Sequence, residues 1–147
     1  MRSSGSCGQL TGSSILHGTN GVIELEVTYK MGTGTSMDHL TTLNDVLAQA
    51  LGCVPPKLYA GSLNLWADEP VALPAPASVE LAGFAWDLVP IVLGQTLVGI
   101  VVRRADSGVI EFLEVFACER LSTLLKLSSG DRIKIRLLPG RYLDVAV

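Results

Sequence analysis

Apolar and polar residues alternate along two segments of this 147-residue chain, Ile23–Tyr29 and Arg132–Leu138. A period of two places apolar side chains on one face of a β-strand and polar side chains on the other. Between these segments lie further apolar stretches, separated by glycine, proline or polar turns, at residues 79–82, 85–93, 97–102 and 109–117. Many short strands with few helical patterns favour a compact, mainly β barrel with short helices in a single domain.

Two segments have helical spacing. Leu43, Leu47 and Leu51 recur at helical intervals, which predicts a helix over 41–51 that ends at Gly52. A second, shorter helix is predicted within 119–127. Because the chain has no repeated strand-helix-strand unit, a dinucleotide-binding type of sheet is disfavoured.

The remaining segments have simpler interpretations. The continuous apolar run 97–102 predicts a strand that is buried on both faces, while Gly83 and Pro90 are expected to break the strands around them. Residues 67–78 contain three prolines and are expected to form an extended surface connection rather than a central strand. A final strand from Tyr142 to Val147 is expected to pair with the strand before it.

Composition limits the classes of protein to which the chain can belong. Residues 1–20 are rich in serine and glycine and are interpreted as a flexible leader ahead of a domain spanning 21–147. The net charge of −3 argues against a nucleic-acid partner, because such binding needs a basic surface. No apolar run reaches the roughly 18 residues of a membrane span. The expectation is a soluble, cytoplasmic protein with no membrane partner.

The three cysteines, Cys7, Cys53 and Cys118, are far apart and odd in number. This pattern argues against a disulfide framework or a zinc site, so Cys53 and Cys118 are interpreted as small core residues. With only two histidines, His17 and His39, a multi-histidine metal site is nearly excluded.

The octapeptide YAGSLNLW, residues 59–66, is the first candidate for chemistry. On an extended strand, Ser62 and Asn64 point to the same face, next to a glycine that permits close approach to the backbone. A hydroxyl and an amide oxygen suit a magnesium ion that keeps most of its waters and shares phosphate oxygens with a nucleotide. The alternative is a strand whose polar face meets water.

A glycine-rich segment follows the first predicted strand. Gly32, Thr33, Gly34 and Thr35 could offer several backbone N–H groups to phosphate oxygens. A plain flexible loop is the alternative for a lone Gly-x-Gly.

The order of four motifs resembles the CTP-dependent riboflavin kinases best known from archaea, small cradle-loop β-barrels that phosphorylate riboflavin to FMN. The resemblance covers roughly residues 22–137. Its pieces are KMGTGT, AGSLNLW for the family's P/E-G-T-L-N, IEFLEVFACERL for its E-I-I-E-I-I-A-P-x-x-L-R, and LKLSSGDRIKI for its L-x-L-x-x-G-D-x-V-x-I. AGSLNLW is the most specific piece, whereas the last supports the fold more than the activity.

The resemblance implies a role for each matching residue. It makes Ser62 and Asn64 the magnesium ligands and Glu114 the residue that holds the flavin substrate and orients or deprotonates its hydroxyl. The residues implied to contact CTP are Gly32, Thr33, Gly34, Thr35, Glu119, Arg120, Leu121 and Ser122. A solvent-facing strand glutamate is the alternative for Glu114.

The chain departs from the family pattern at four positions. Lys30 stands where a glycine is expected, Arg103 where a proline, Asp106 where a flavin-contacting threonine and Ser122 where an arginine. A carboxylate near a phosphate product is unfavourable by about 1 kcal/mol or more. Lys30 could supply a compensating charge or be an ordinary surface lysine.

The resemblance implies CTP- and magnesium-dependent phosphorylation of riboflavin or of a related alcohol, and two other functions remain open at this stage. The barrel could be a non-catalytic nucleotide or small-ligand sensor that has lost kinase activity, as Asp106 and Ser122 favour. It could also be a transcription-related barrel, although the acidic sequence pI near 5.3 argues against DNA binding.

Overall fold

Seven strands and two short helices are present in the computed structural model, which describes residues 21–31, 41–81, 83–106 and 110–143. The strands are β1 (Ile23–Tyr29), β2 (Leu63–Val71), β3 (Ala77–Leu81), β4 (Phe84–Leu93), β5 (Thr96–Arg104), β6 (Ile110–Phe116) and β7 (Arg132–Leu137). The helices are α1 (Thr41–Leu51) and α2 (Leu121–Leu124), and a single turn of 3-10 helix spans Gly140–Tyr142.

Strand β4 closes the sheet into a barrel because it pairs with both β5 and β7. The strand order is β3-β4-β5-β6-β2-β1-β7, and β4 also meets β7 at Ile91–Leu137 and Val92–Arg136. Six strands therefore form a closed antiparallel barrel, and β3 pairs with β4 alone. Closure removes the exposed edges that an open sheet would have. The mainly β, single-domain barrel predicted from the sequence is confirmed.

Two apolar clusters pack on opposite faces of the sheet. The barrel interior is filled by side chains from all six strands, including Val27, Leu65, Val101, Leu113 and Ile135. The outer face of β3 to β6 is covered by α1, whose Leu43 and Leu47 pack with Leu88, Ile100 and Phe116. Strand β5 contributes to both clusters, so its central residues are buried on both faces as predicted.

Helix α1 has the predicted limits, and its end has a specific cause. Gly52 has a φ of +67°, its N–H donates to the Gln49 carbonyl at 3.1 Å, and the Cys53 N–H donates to the Ala48 carbonyl at 3.0 Å. This paired arrangement is the common glycine-terminated helix end. It turns the chain so that Cys53 points back to the sheet. Within the described segments, neither helix has the length and apolar character needed to cross a bilayer.

The predicted surface connection at 67–78 is partly wrong, because β2 continues to Val71 and β3 begins at Ala77. Pro70 is accommodated because the pairing of β2 with β6 is irregular between Trp66 and Val71. A proline is tolerated where a strand bulges, since no ladder hydrogen bond is needed there. Strand β2 therefore extends further along the chain than its proline content predicts.

Two other local predictions are also wrong. Pro90 does not break its strand: it lies inside β4 opposite Ile100, and its carbonyl accepts a hydrogen bond from the Leu138 N–H at 3.0 Å. Instead of beginning a final strand, Tyr142 lies in the 3-10 turn, where its N–H donates to the Pro139 carbonyl at 3.1 Å. Residues 144–147 lie outside the described residues.

The prediction that the cysteines form no disulfide is wrong, because Cys53 and Cys118 are bonded. They are 65 residues apart in sequence, yet their Cα atoms are 5.3 Å apart. The segment after α1 runs beside the end of β6, where the Tyr59 N–H donates to the Ala117 carbonyl at 2.9 Å. Spacing rules for cysteines capture local motifs and not a contact of this range. The expectation that Cys53 is a buried core residue is confirmed.

Candidate functional site

A cleft of about 140 Å³ lies where the end of β1, the start of β2, the end of β6 and α2 meet. It is lined by Tyr29, Met31, Tyr59, Ala60, Gly61, Ser62, Leu63, Asn64, Val115, Ala117, Glu119, Arg120, Leu121 and Ser122. Six of the residues predicted to bind metal or nucleotide therefore line one cleft: Ser62, Asn64 and the four residues 119–122.

Ser62, Asn64 and Glu114 form a group of side-chain oxygens that we call the oxygen cluster. The Ser62 hydroxyl donates to Oε2 of Glu114 at 2.9 Å and lies 3.3 Å from Oδ1 of Asn64. The two-residue period of β2 puts Ser62 and Asn64 on one face, as the sequence predicted. Strand pairing supplies the third member, because Asn64 is directly opposite Glu114. All three side chains are partly buried.

The oxygen cluster has the chemical character of a magnesium site. It offers a hydroxyl, an amide and one carboxylate, all hard oxygen donors on one face of the sheet. Magnesium is held by few protein oxygens together with water and phosphate oxygens, so a small set of this kind fits the ion. No group of three or more histidine, cysteine, aspartate or glutamate side chains that could hold a metal occurs among the described residues.

Gly61 has a more local role than the sequence indicated. Its φ of +148° is disfavoured for other residues, and a Cβ there would lie 3.0 Å from Cε2 of Tyr59. The group that approaches this backbone is therefore the Tyr59 ring, which is 38% exposed and forms part of the cleft wall. The sequence pattern did not indicate that Tyr29 and Tyr59 would line this cleft.

Residues 119–122 form another wall of the cleft, and the disulfide holds the start of this wall. Cys118 ties the segment to the end of α1, and Leu121 is buried in the barrel core. Glu119 and Arg120 remain exposed, so Arg120 places a guanidinium at the cleft. A cation there can pair with phosphate oxygens.

The glycine-rich segment predicted to cradle phosphates, Gly32 to Thr35, lies outside the described residues. The preceding residue, Met31, lines the cleft and is 70% exposed. Its N–H donates to Oγ of Ser129 at 3.1 Å, and the Lys30 N–H donates to the Asn64 carbonyl at 3.2 Å. The chain therefore leaves β1 directly beside the oxygen cluster.

Three of the four departures from the family pattern are not among the residues that line the cleft. Arg103 pairs with Asp87 at 3.8 Å, and Asp106 pairs with Arg104 at 3.8 Å with its side chain 78% exposed. The Lys30 ammonium lies 5.4 Å from the centroid of the Trp66 ring. Only Ser122 lines the cleft, so the expected repulsion between Asp106 and a phosphate has no support from its position.

Comparison with models of known protein families gives no match, and comparison with curated protein sequences gives none either. Any assignment of function therefore depends on the residues of the cleft and on their motif order.

Proposed function

We propose that the protein transfers the γ-phosphoryl group of CTP to a hydroxyl of riboflavin, giving FMN and CDP in a magnesium-dependent reaction. The observation that carries this proposal is the oxygen cluster, of which Ser62 and Asn64 line the cleft while Glu114 lies beside them outside its lining. The neighbouring oxygens of Ser62 and Asn64 are neutral and suit magnesium. The Ser62 hydroxyl donates to the Glu114 carboxylate, and Asn64 lies directly opposite Glu114 on the adjacent strand, so a group suited to accept a proton lies beside them. The order of motifs resembling riboflavin kinases supports CTP and riboflavin as the substrates.

The residues have separate tasks in this reaction. Ser62 and Asn64 would hold magnesium, which when bound neutralises charge on the phosphate oxygens. Arg120, which also lines the cleft, would contact phosphate. Glu114 would orient the riboflavin hydroxyl and accept its proton, while the hydroxyl oxygen bonds to the γ-phosphorus and the bond to the bridging oxygen of CDP breaks.

A magnesium-dependent product assay tests the proposal. We expect FMN to form from riboflavin and CTP with magnesium, and not when the metal is chelated, because charge neutralisation supplies much of phosphoryl-transfer catalysis. Product is measured by chromatography, with ATP in place of CTP as the nucleotide control. Absence of FMN under every combination of nucleotide and divalent metal would refute the kinase assignment.

The alternative of a nucleotide sensor without turnover is favoured by Ser122. This residue lines the cleft at the position where the family pattern has an arginine, so one expected cation is missing. A sensor would bind CTP in the same cleft and form no FMN in the assay above.

The disulfide bears on the cellular compartment in which the protein acts. Disulfides persist in oxidising compartments and are rare in the cytosol. The Cys53–Cys118 bond therefore weighs against the cytoplasmic location predicted from the sequence, which stays a prediction.

A further inference from the structure

Two aromatic side chains, one exposed and one partly buried, adjoin the oxygen cluster on the outer face of the sheet. Trp66 of β2 lies opposite Phe112 of β6, as Asn64 lies opposite Glu114. The two pairs therefore occupy consecutive outward-facing positions, about 7 Å apart along the strands. We call Trp66 and Phe112 the aromatic pair.

The aromatic pair presents an apolar surface to solvent. The ring centroids are 4.8 Å apart with the planes tilted by 39°, and Trp66 is 37% exposed. The Lys30 ammonium lies over the Trp66 ring, 5.4 Å from its centroid, so a ring that stacks on this face would displace it. Large aromatic side chains at an exposed site next to polar groups are typical of ligand and partner contacts.

Paired charges border the other side of the aromatic pair. Arg132 donates to Asp68 at 2.9 Å, to Glu26 at 3.0 Å and to Thr28 at 2.9 Å. The hydrogen bond from Arg132, aided by its charge, lowers the pKa of Asp68, which stays ionised at neutral pH. The aromatic pair is thus an apolar strip between the oxygen cluster and this ion-paired group.

The order of groups along the sheet separates two binding regions. The cleft, whose lining includes Arg120, Val115 of β6 and Ala117 just after β6, lies on one side of Glu114 along the chain, and Phe112 of the aromatic pair lies on the other side. Neither Trp66 nor Phe112 lines the cleft. A phosphoryl donor in the cleft would therefore leave the aromatic pair free for the acceptor.

We propose that the aromatic pair is the platform on which the planar ring system of the acceptor stacks, with its hydroxylated chain reaching Glu114. This inference rests on the proposed function, and it defines the acceptor class as a fused-ring heteroaromatic carrying a short polyol chain. Stacking on Trp66 gives affinity that does not depend on hydrogen bonds to the acceptor's ring system. Lys30 interacts with electron-rich edges of that ring system.

Flavin binding to Trp66 variants tests this platform. The probes are riboflavin and lumiflavin, which keeps the ring but lacks the polyol chain, and binding is measured by quenching of flavin fluorescence. We expect Trp66→Ala to weaken binding of both probes by about tenfold, since one stacking contact is worth that much. Trp66→Phe should retain most of the affinity, and neither variant should change CTP affinity.

Two controls distinguish a loss of stacking from a loss of folding as the cause of weaker flavin binding. Trp86→Phe alters the other tryptophan, which is 6% exposed in the second apolar cluster, and should leave flavin affinity unchanged. Thermal melting of each variant checks that the barrel is intact.

The possible outcomes distinguish the platform from the proposed function. If Trp66→Ala weakens flavin binding while the wild type forms no FMN, the platform stands and the kinase assignment fails. If the wild type forms FMN and Trp66→Ala leaves riboflavin affinity unchanged, the platform is refuted and the kinase assignment stands. Loss of CTP affinity in Trp66→Ala would assign the rings to the nucleobase instead, and a wild type that binds no flavin would also overturn the inference.

Discussion

Replacing Glu114 by glutamine is expected to lower kcat for FMN formation by about 100- to 10 000-fold while leaving CTP affinity unchanged. Glutamine has the shape of glutamate and can accept the hydrogen bond that Ser62 donates at 2.9 Å. It cannot accept a proton from the attacking hydroxyl. The measurement is steady-state production of FMN, together with calorimetric titration of CTP.

The control for this variant is Glu111→Gln. It makes the same chemical change on the same strand, at an exposed residue outside the oxygen cluster. It should leave both kcat and CTP affinity unchanged. Equal rates for Glu114→Gln and Glu111→Gln would contradict the role of Glu114 as a base and leave it as a strand glutamate on the surface.

Removing the disulfide in the double variant Cys53→Ser, Cys118→Ser is expected to lower the free energy of unfolding by about 4 kcal/mol. The bond closes a chain segment with a sequence separation of 65 residues, and the loss reflects the freedom that the unfolded chain regains. The corresponding fall in Tm is roughly 10 °C. Urea titration of the oxidised wild type, the reduced wild type and the double variant measures the difference.

The same experiment reports on the cleft. Cys118 directly precedes residues 119–122, so reduction should also weaken any ligand that contacts this wall. Cys7→Ser keeps the bond and controls for the loss of a thiol. If the oxidised and reduced proteins unfold at the same urea concentration, the disulfide makes no contribution to stability and this account of it is wrong.

Strand alternation predicted much of the fold because each barrel strand has one face in the core. Ile23–Tyr29 and Arg132–Leu137 read correctly as strands, and they pair with each other over six positions. Helix α1 was predicted at about its observed position because Leu43 and Leu47 repeat at helical spacing and Gly52 ends the helix. These signals are local, so a single sequence contains them.

The missed features depend on contacts between distant segments. Ser62 and Asn64 could be grouped from the period of one strand, but their proximity to Glu114 requires the register of β2 with β6. The same register places Trp66 opposite Phe112. Trp66 belongs to the octapeptide 59–66, but the sequence does not show that Phe112 is its neighbour. The disulfide likewise requires the path of the chain after α1, which spacing does not reveal.

The most direct test of the central claim is to locate the metal. Crystals grown with CTP and Mn²⁺, an anomalous scatterer that replaces magnesium, would show its position without reference to activity. We expect an anomalous peak about 2 Å from both Oγ of Ser62 and Oδ1 of Asn64, with phosphate oxygens and water completing its coordination. A peak bound to CTP that contacts neither Ser62 nor Asn64 would contradict the account.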